Sequence, residues 1–325
     1  MSDYIMFSKA EINTTICRPA LVTNISEAEA RNGKVYCKIT LSDGDSTVVA
    51  NMFDVSSNVL RDLYDIKPAT VVNADLRVSE YNGAKSFVVS CIQKSEDQSC
   101  INDYMKLPPI PSKVMYDYIT ATLHDNVAGY LLTVTESILD LYAREFCTSS
   151  AAVAMHHNML GGLLYHTYRM LQSAVHLCEV YPELDKELMI CGTILHDIGK
   201  IKEYKTNRMG EATVSPCGAL FGHLYIGAEL VHSTAVELGC ADNEKIILLQ
   251  HMILSHHGVQ QWGAVVPPAI PEAFVLHFID DIDAKVYMCN DITKSLEGGT
   301  TTEKKPFGLD GRLYKRLDAE DCDAE

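Results

Sequence analysis

The chain has 325 residues, 47% of them hydrophobic, with 11 cysteines and a formal net charge of −16. That length can bury two separate cores, and the acidic balance argues against broad attraction to nucleic acid while leaving room for a local basic channel or a bound cation. The cysteines form no CxxC pair, no secretory leader is legible, and no apolar run reaches the roughly 18 residues of a membrane span; the expectation is a cytoplasmic protein with free, mostly buried thiols and no membrane partner.

Residues 10–95 read as strands, within an expected domain of residues 1–98. "KVYCKITL" alternates apolar and polar positions, "SDGD" supplies turn residues, and "STVVANMF" alternates again. "TVVNADLRVSEYNGAKSFVVSCI" repeats the arrangement around Asn82-Gly83. Short strands at this spacing predict an all-β barrel; five would make an OB-fold, and other small barrels suit the spacing equally. Three prolines in "MKLPPIPSKV" stop both helix and strand, which sets a linker at 99–113. Over 114–295 the apolar period becomes helical in "AGYLLTVTESILDLYAREF", "GGLLYHTYRMLQSAVHLCEVY", "LFGHLYIGAELVHSTAVELG" and "EAFVLHFIDDIDAKVYM", predicting an all-α bundle. Asp185 is the expected N-cap of the helix leading to His196, and Gly199 its stop. Residues 296–325 are expected to form a partly irregular tail with an acidic end, "DAEDCDAE".

All twelve histidines lie beyond the proline-rich stretch. Several sit within apolar segments: His166 in "GGLLYHTYRM", His196 in "TILHDIGK", His223 in "LFGHLYIG", and His256 and His257 in "MILSHHGV". A lone histidine in such a place is most often a core residue with one hydrogen bond. A bundle core holding this many imidazoles together with carboxylates, Asp280, Asp281 and Asp283 among them, needs those groups to satisfy one another or an ion. Mixed imidazole and carboxylate donors suit Mn, Fe, Zn or Ni, and Mg less well. Neighbours on a helix point roughly 100° apart at ~3.6 residues per turn, so His196 and Asp197 can lean into one cleft. No HExxH pair is present, so the remaining donors must come from distant segments.

His166, the His196-Asp197 pair and the late Asp280 resemble the metal-binding set of the HD phosphohydrolase superfamily in order and spacing. His223 and the "SHHG" pair look like the subgroup that holds two metals. The resemblance is closer still to the YhaM-type 3′→5′ exoribonucleases, which join an N-terminal OB-fold to an HD domain. "HHNMLGGLLYHT", "LHDIGKIKE", "GHLYIGAE", "HMILSHHG", "EAFVLHFIDDIDAK" and the barrel segment "ANMFDVSS" all look like that family, and the likeness spans nearly the whole chain. Departures are Tyr165 where the family usually has Glu, "GVQQWGAVVPP" with Gln261 and Ala264-Val265 after the histidine pair, and "ATVSPCGALFGHL" before His223.

The resemblance implies that His166, His196, Asp197 and Asp280 hold one divalent ion and that Asp197, His223, His256 and His257 hold a second. Manganese is the favoured metal. The ions would lower the pKa of a water toward ~7 for attack on the last phosphodiester, with Asp197 and Lys200 in catalytic roles. Lys200 would meet a phosphate oxygen; as a lysine at a helix C-terminus it would instead complement the helix dipole. His157 would touch substrate, His277 would support the site, and His251 suits a ligand or a core role equally. The barrel would bring single-stranded RNA, or single-stranded DNA, onto aromatics at ~1–3 kcal/mol per stacked base: Tyr36, Phe53, Tyr81 and Phe87, with Lys34, Lys38, Arg77 and Lys85 as cations; Phe53 and Phe87 suit the barrel core equally. Two alternatives stand beside this reading. One is an HD phosphohydrolase of a small nucleotide or cyclic dinucleotide, whose branch "GHLYIGAEL" resembles in part; the other is a non-catalytic RNA-binding protein. Oligomeric state is not legible.

Overall fold

The structure, a computed structural model, describes residues 4–30, 33–53, 66–81, 83–152 and 159–317. The chain divides into two compact units, Met1–Leu107 and Pro108–Glu325.

The first unit is a barrel of β1 (Thr15–Glu29), β2 (Val35–Ser42), β3 (Thr47–Met52), β4 (Thr70–Tyr81) and β5 (Ala84–Lys94). It closes in the order β1-β2-β3-β5-β4, with β3 and β5 parallel and the other pairs antiparallel, which is the five-stranded OB arrangement. The alternation seen in the sequence sends Ile39 and Leu41 of β2, Leu76 and Val78 of β4, and Phe87 and Val89 of β5 inward to one core. Phe7 seals it, its ring edge-on to Phe87 at 5.9 Å. The "SDGD" stretch turns β2 into β3: the Asp43 carboxylate accepts from the amides of Asp45 and Ser46 and pairs with buried Arg18 at 3.0 Å. Gly83, at φ +76, turns β4 into β5; Asn82 lies outside the described residues. A single helical turn, Ile101–Tyr104, belongs to this unit, where Ser42 Oγ donates to Tyr104 O at 2.8 Å. The first half of the expected linker is therefore held to the barrel.

The second unit contains α1 (Ser112–Asn126), α2 (Gly129–Thr148), α3 (Gly162–Val180), α4 (Lys186–Leu195), a one-turn α5 (Lys200–Glu203), α6 (Pro216–Glu237), α7 (Glu244–Ser255) and α8 (Pro271–Thr293). A small hairpin, β6 (Tyr204–Thr206) with β7 (Ala212–Val214), interrupts the helices that the sequence predicts. Every residue from Leu188 to Leu195 is buried, so α4 is the axis around which the other helices pack. Asp185 caps α4 as expected, its carboxylate accepting from Leu188 N at 3.1 Å. Gly199 does not stop that helix. The helix ends at Leu195, and Gly199 has ordinary right-handed geometry (φ −60). A Cβ there would stand 2.0 Å from His223 O and 2.8 Å from Gly227 N, so the glycine lets α6 approach.

The tail folds back on itself between Thr300 and Lys315, through Thr302 N to Leu313 O and Lys315 N to Thr300 O, each 2.9 Å. The ten described cysteines are unpaired, but only Cys37, Cys178, Cys191 and Cys240 are buried, so the expectation of mostly buried thiols fails. Among the described residues no helix is long and apolar enough to cross a membrane.

Candidate functional site

Five segments of the helical unit converge on Asp197. His166 comes from the second turn of α3, and His196 and Asp197 from the turn after α4. His223 comes from α6, His256 and His257 from the end of α7, and Asp280 from the middle of α8. Gly222 makes the α6 contribution possible. Its φ of 68° and ψ of 158° break the helix where only glycine sits without strain, and the chain resumes with His223 turned inward.

The donors form two groups that share Asp197. Oδ2 of Asp197 lies 3.3 Å from His196 Nε2 and 3.8 Å from His166 Nε2, and Asp280 Oδ1 is 3.2 Å from His166 Nε2. Oδ1 of Asp197 lies 3.5 Å from His223 Nε2 and 3.6 Å from His256 Nε2. His166 and His196 bring their Nε2 atoms within 3.2 Å, and His223 and His257 within 3.3 Å. Two nitrogens each ~2.1 Å from one ion stand about 3.0–3.4 Å apart, so these separations fit ligand pairs on a shared cation. Asp197 Oδ1 and His256 Nε2 are buried without a hydrogen-bond partner, an arrangement that a divalent cation relieves.

A surrounding layer fixes the tautomers. His196 Nδ1 donates to Thr193 O and His256 Nδ1 to Ile253 O, both at 2.8 Å. His166 Nδ1 donates to Asp283 Oδ2 at 2.8 Å, and Arg169 Nε holds the other Asp283 oxygen at 2.8 Å. His223 Nδ1 faces Glu203 Oε2 at 2.9 Å. With Nδ1 hydrogen-bonded outward, the rings of His166, His196 and His256 keep their Nε2 lone pairs for the interior. His277, expected to support the site, gives Nδ1 to the backbone oxygen of His256 at 2.9 Å.

The electrostatics match a cation site. Burial opposes ionisation of Asp197, yet Lys200, His196 and His223 hold its carboxyl well below the usual carboxylate range. Burial, together with His196 and His257, pushes His256 well below its ordinary value, leaving a neutral donor. Burial also opposes a proton on His166, but Asp280 and Asp283 outweigh it and raise that ring to about 9. A metal at Nε2 would replace that proton. Lys200 Nζ sits 2.7 Å from Asp197 Oδ2 and lines a cleft of 190 Å³ with His257, Trp262, His277, Asp280 and Asp281.

On the barrel, Tyr36 and Phe53 stack at 5.3 Å, with Lys38 Nζ 5.9 Å from the Tyr36 ring. Lys38, Asn51, Val88 and Arg77 are partners in one row across β2, β3, β5 and β4, so both cations share that outer face. Lys85 is drawn off to Ser8 O at 3.1 Å, Lys34 precedes β2, and Tyr81 is exposed at the β4–β5 turn. Phe87, which suited stacking and barrel core equally, is core.

His157 lies outside the described residues. His251 Nε2 accepts from Ala269 N at 3.0 Å, a structural contact apart from the cluster. Sequence reasoning missed the roles of Glu203, Arg169 and Asp283. Asp283 carried a signal, since it falls three residues after Asp280 on the same face of α8.

The HD domain family model matches residues 163–285. The chain is 33% identical over 296 residues to the 3′-5′ exoribonuclease YhaM of Bacillus pumilus, covering 90% of this chain and 92% of that one. It is 32% identical over 306 residues to the protein of the same name from Bacillus subtilis, covering 94% and 95%. Among solved structures it is similar to the second OB-fold domain of replication protein A from Methanococcus maripaludis, at 13% identity and TM-score 0.23, over 29% of this chain and 95% of that one. With an OB barrel, an HD helical unit and these relatives matched along more than nine-tenths of their length, the chain belongs to the YhaM family of 3′→5′ exoribonucleases.

Proposed function

We propose that the chain is a metal-dependent 3′→5′ exoribonuclease that hydrolyses the terminal phosphodiester of single-stranded RNA in the cytoplasm. His166, His196, Asp197 and Asp280 hold one divalent ion, and Asp197, His223, His256 and His257 a second; manganese suits this mixture of imidazole and carboxylate donors. When bound, the ions supply Lewis acidity and a water with its pKa lowered toward ~7.

The remaining work falls to the protein's own groups. Asp197 turns one oxygen toward each group of imidazoles and keeps them in register. The Nδ1 contacts of His166, His196, His223 and His256 stop the rings from rotating. Lys200 offers a fixed positive charge to a nonbridging phosphate oxygen at the edge of the cleft. Tyr36 and Phe53 stack bases, and Lys38 and Arg77 meet phosphates along the barrel's outer face.

The position of Asp197 between two imidazole groups carries this reading. Asp197→Ala is expected to abolish both bound metal, measured by elemental analysis of the purified protein, and shortening of RNA from its 3′ end. Full activity in that variant refutes the scheme. A panel of single-stranded RNA, single-stranded DNA and cyclic dinucleotides assigns the substrate: RNA shortened stepwise is expected, and turnover of cyclic dinucleotides alone selects the small-nucleotide alternative.

A further inference from the structure

The cleft at Lys200 does not end at the metal ligands. It shares Trp262 and Asp281 with a groove of 720 Å³ between α8 and the tail, lined also by Lys285, Lys305, Phe307 and Asp310. Two large aromatic side chains stand open there: Trp262 is 60% exposed and Phe307 85%. Phe307 is not on a loose end. The Thr300–Lys315 fold-back, Lys315 Nζ on Leu296 O at 2.7 Å and buried Leu309 anchor the loop that displays it. One side of Trp262 is backed by His277 at 5.9 Å. Of the cations, Lys285 pairs with Asp281 at 2.8 Å, while Lys305 makes no ion pair with the described residues.

Exposed rings interleaved with a cation, along a groove that runs into a phosphodiesterase cleft, have the composition of a single-strand path. An open groove suits the part of a strand that continues, whereas a released mononucleotide needs only a short pocket. We propose that the tail forms one wall of the substrate channel. In it the RNA just 5′ of the scissile phosphate lies between α8 and residues 305–310, with bases stacking on Trp262 and Phe307 and a backbone phosphate meeting Lys305. This rests on the exoribonuclease reading above and adds a binding role to a segment whose sequence reads as an irregular tail.

The test compares full-length, manganese-loaded wild type with Phe307→Ala, Phe307→Tyr and Lys305→Ala. Each is assayed on a single-stranded RNA 12-mer and on bis(p-nitrophenyl) phosphate. Loss of one stacking ring is expected to raise KM for the 12-mer about tenfold and leave kcat on the small ester unchanged. Phe307→Tyr should restore wild-type KM, and Lys305→Ala should raise KM more at low salt than at high salt. Unchanged KM in both alanine variants overturns the proposal, as does a parallel loss on RNA and ester, which signals damage to the metal site. A changed sedimentation coefficient with unchanged KM also overturns it, and gives the groove to a second copy of the chain. A wild type that cleaves the ester but leaves RNA intact sinks the exoribonuclease reading itself, before any variant is compared.

Discussion

Asp283 shows how much one side chain outside the proposed ligand set can control. Its two oxygens receive His166 Nδ1 and Arg169 Nε, each at 2.8 Å, so it ties a buried ring to a partly exposed guanidinium. Without that carboxylate His166 can rotate or shift its proton to Nε2, and either change removes a lone pair from the metal group. Asp283→Ala should therefore weaken metal affinity about 10–100-fold, read by calorimetric titration of the metal-free protein with Mn²⁺. An unchanged affinity would show that packing around α3 holds the ring unaided. Gly199 makes the complementary point about space. Its role is set by His223 O and Gly227 N on a different helix, so nothing in "HDIGK" announces it.

At the scale of elements, α4 matters most because its end delivers both His196 and Asp197. The Asp185 cap satisfies Leu188 N and also pairs with Lys245 at 2.8 Å. Asp185→Ala should lower the stability of the helical unit by about 1 kcal/mol, measured by urea unfolding. Burial opposes ionisation of Asp185, but Lys245 and the Leu188 amide outweigh it and hold its carboxyl below the ordinary value. A depressed folded value means that the stabilisation is complete above the unfolded carboxylate pKa of about 4 and is lost as pH falls through the lower folded value. The gap between wild type and Asp185→Ala should thus shrink from pH 6 toward pH 3; a gap that stays constant would assign the effect to packing. Features of this kind were legible because they are local: the cap three residues from its amide, the 3.6-residue period of α3 and α8, the two-residue alternation of the strands. The histidines could be listed from the sequence, and the family resemblance implied their grouping into two sets around Asp197; the residues' own spacing could not, because that grouping depends on α3, α4, α6, α7 and α8 crossing at one point. Glu203 and Arg169 were illegible for the same reason, since Glu203 meets the His223 ring of α6 and Arg169 meets the Asp283 carboxylate of α8, partners that only tertiary packing brings near.

The whole molecule joins two units with separate cores, one built around Ile39, Leu76 and Phe87 and the other around α4. The proposed metal donors and the groove residues Trp262, Lys305 and Phe307 all belong to the second unit, while the Tyr36–Phe53 stack belongs to the first. On the proposed reading, tethering the barrel's outer face to the helical unit makes engagement of the second surface effectively intramolecular, so the barrel should contribute affinity only for strands long enough to engage both. Residues 108–325 alone should then retain wild-type kcat on a small phosphodiester and bind metal normally. Their KM should rise for long RNA and stay near wild type for the shortest oligomers. A length series of single-stranded RNA, run for both proteins at one salt concentration, separates the possibilities. If the two KM curves coincide at every length, the barrel's outer face does not hold the substrate; if they diverge already at the dinucleotide, removing the barrel has disturbed the catalytic unit. Divergence that begins only beyond a few nucleotides is the expected result.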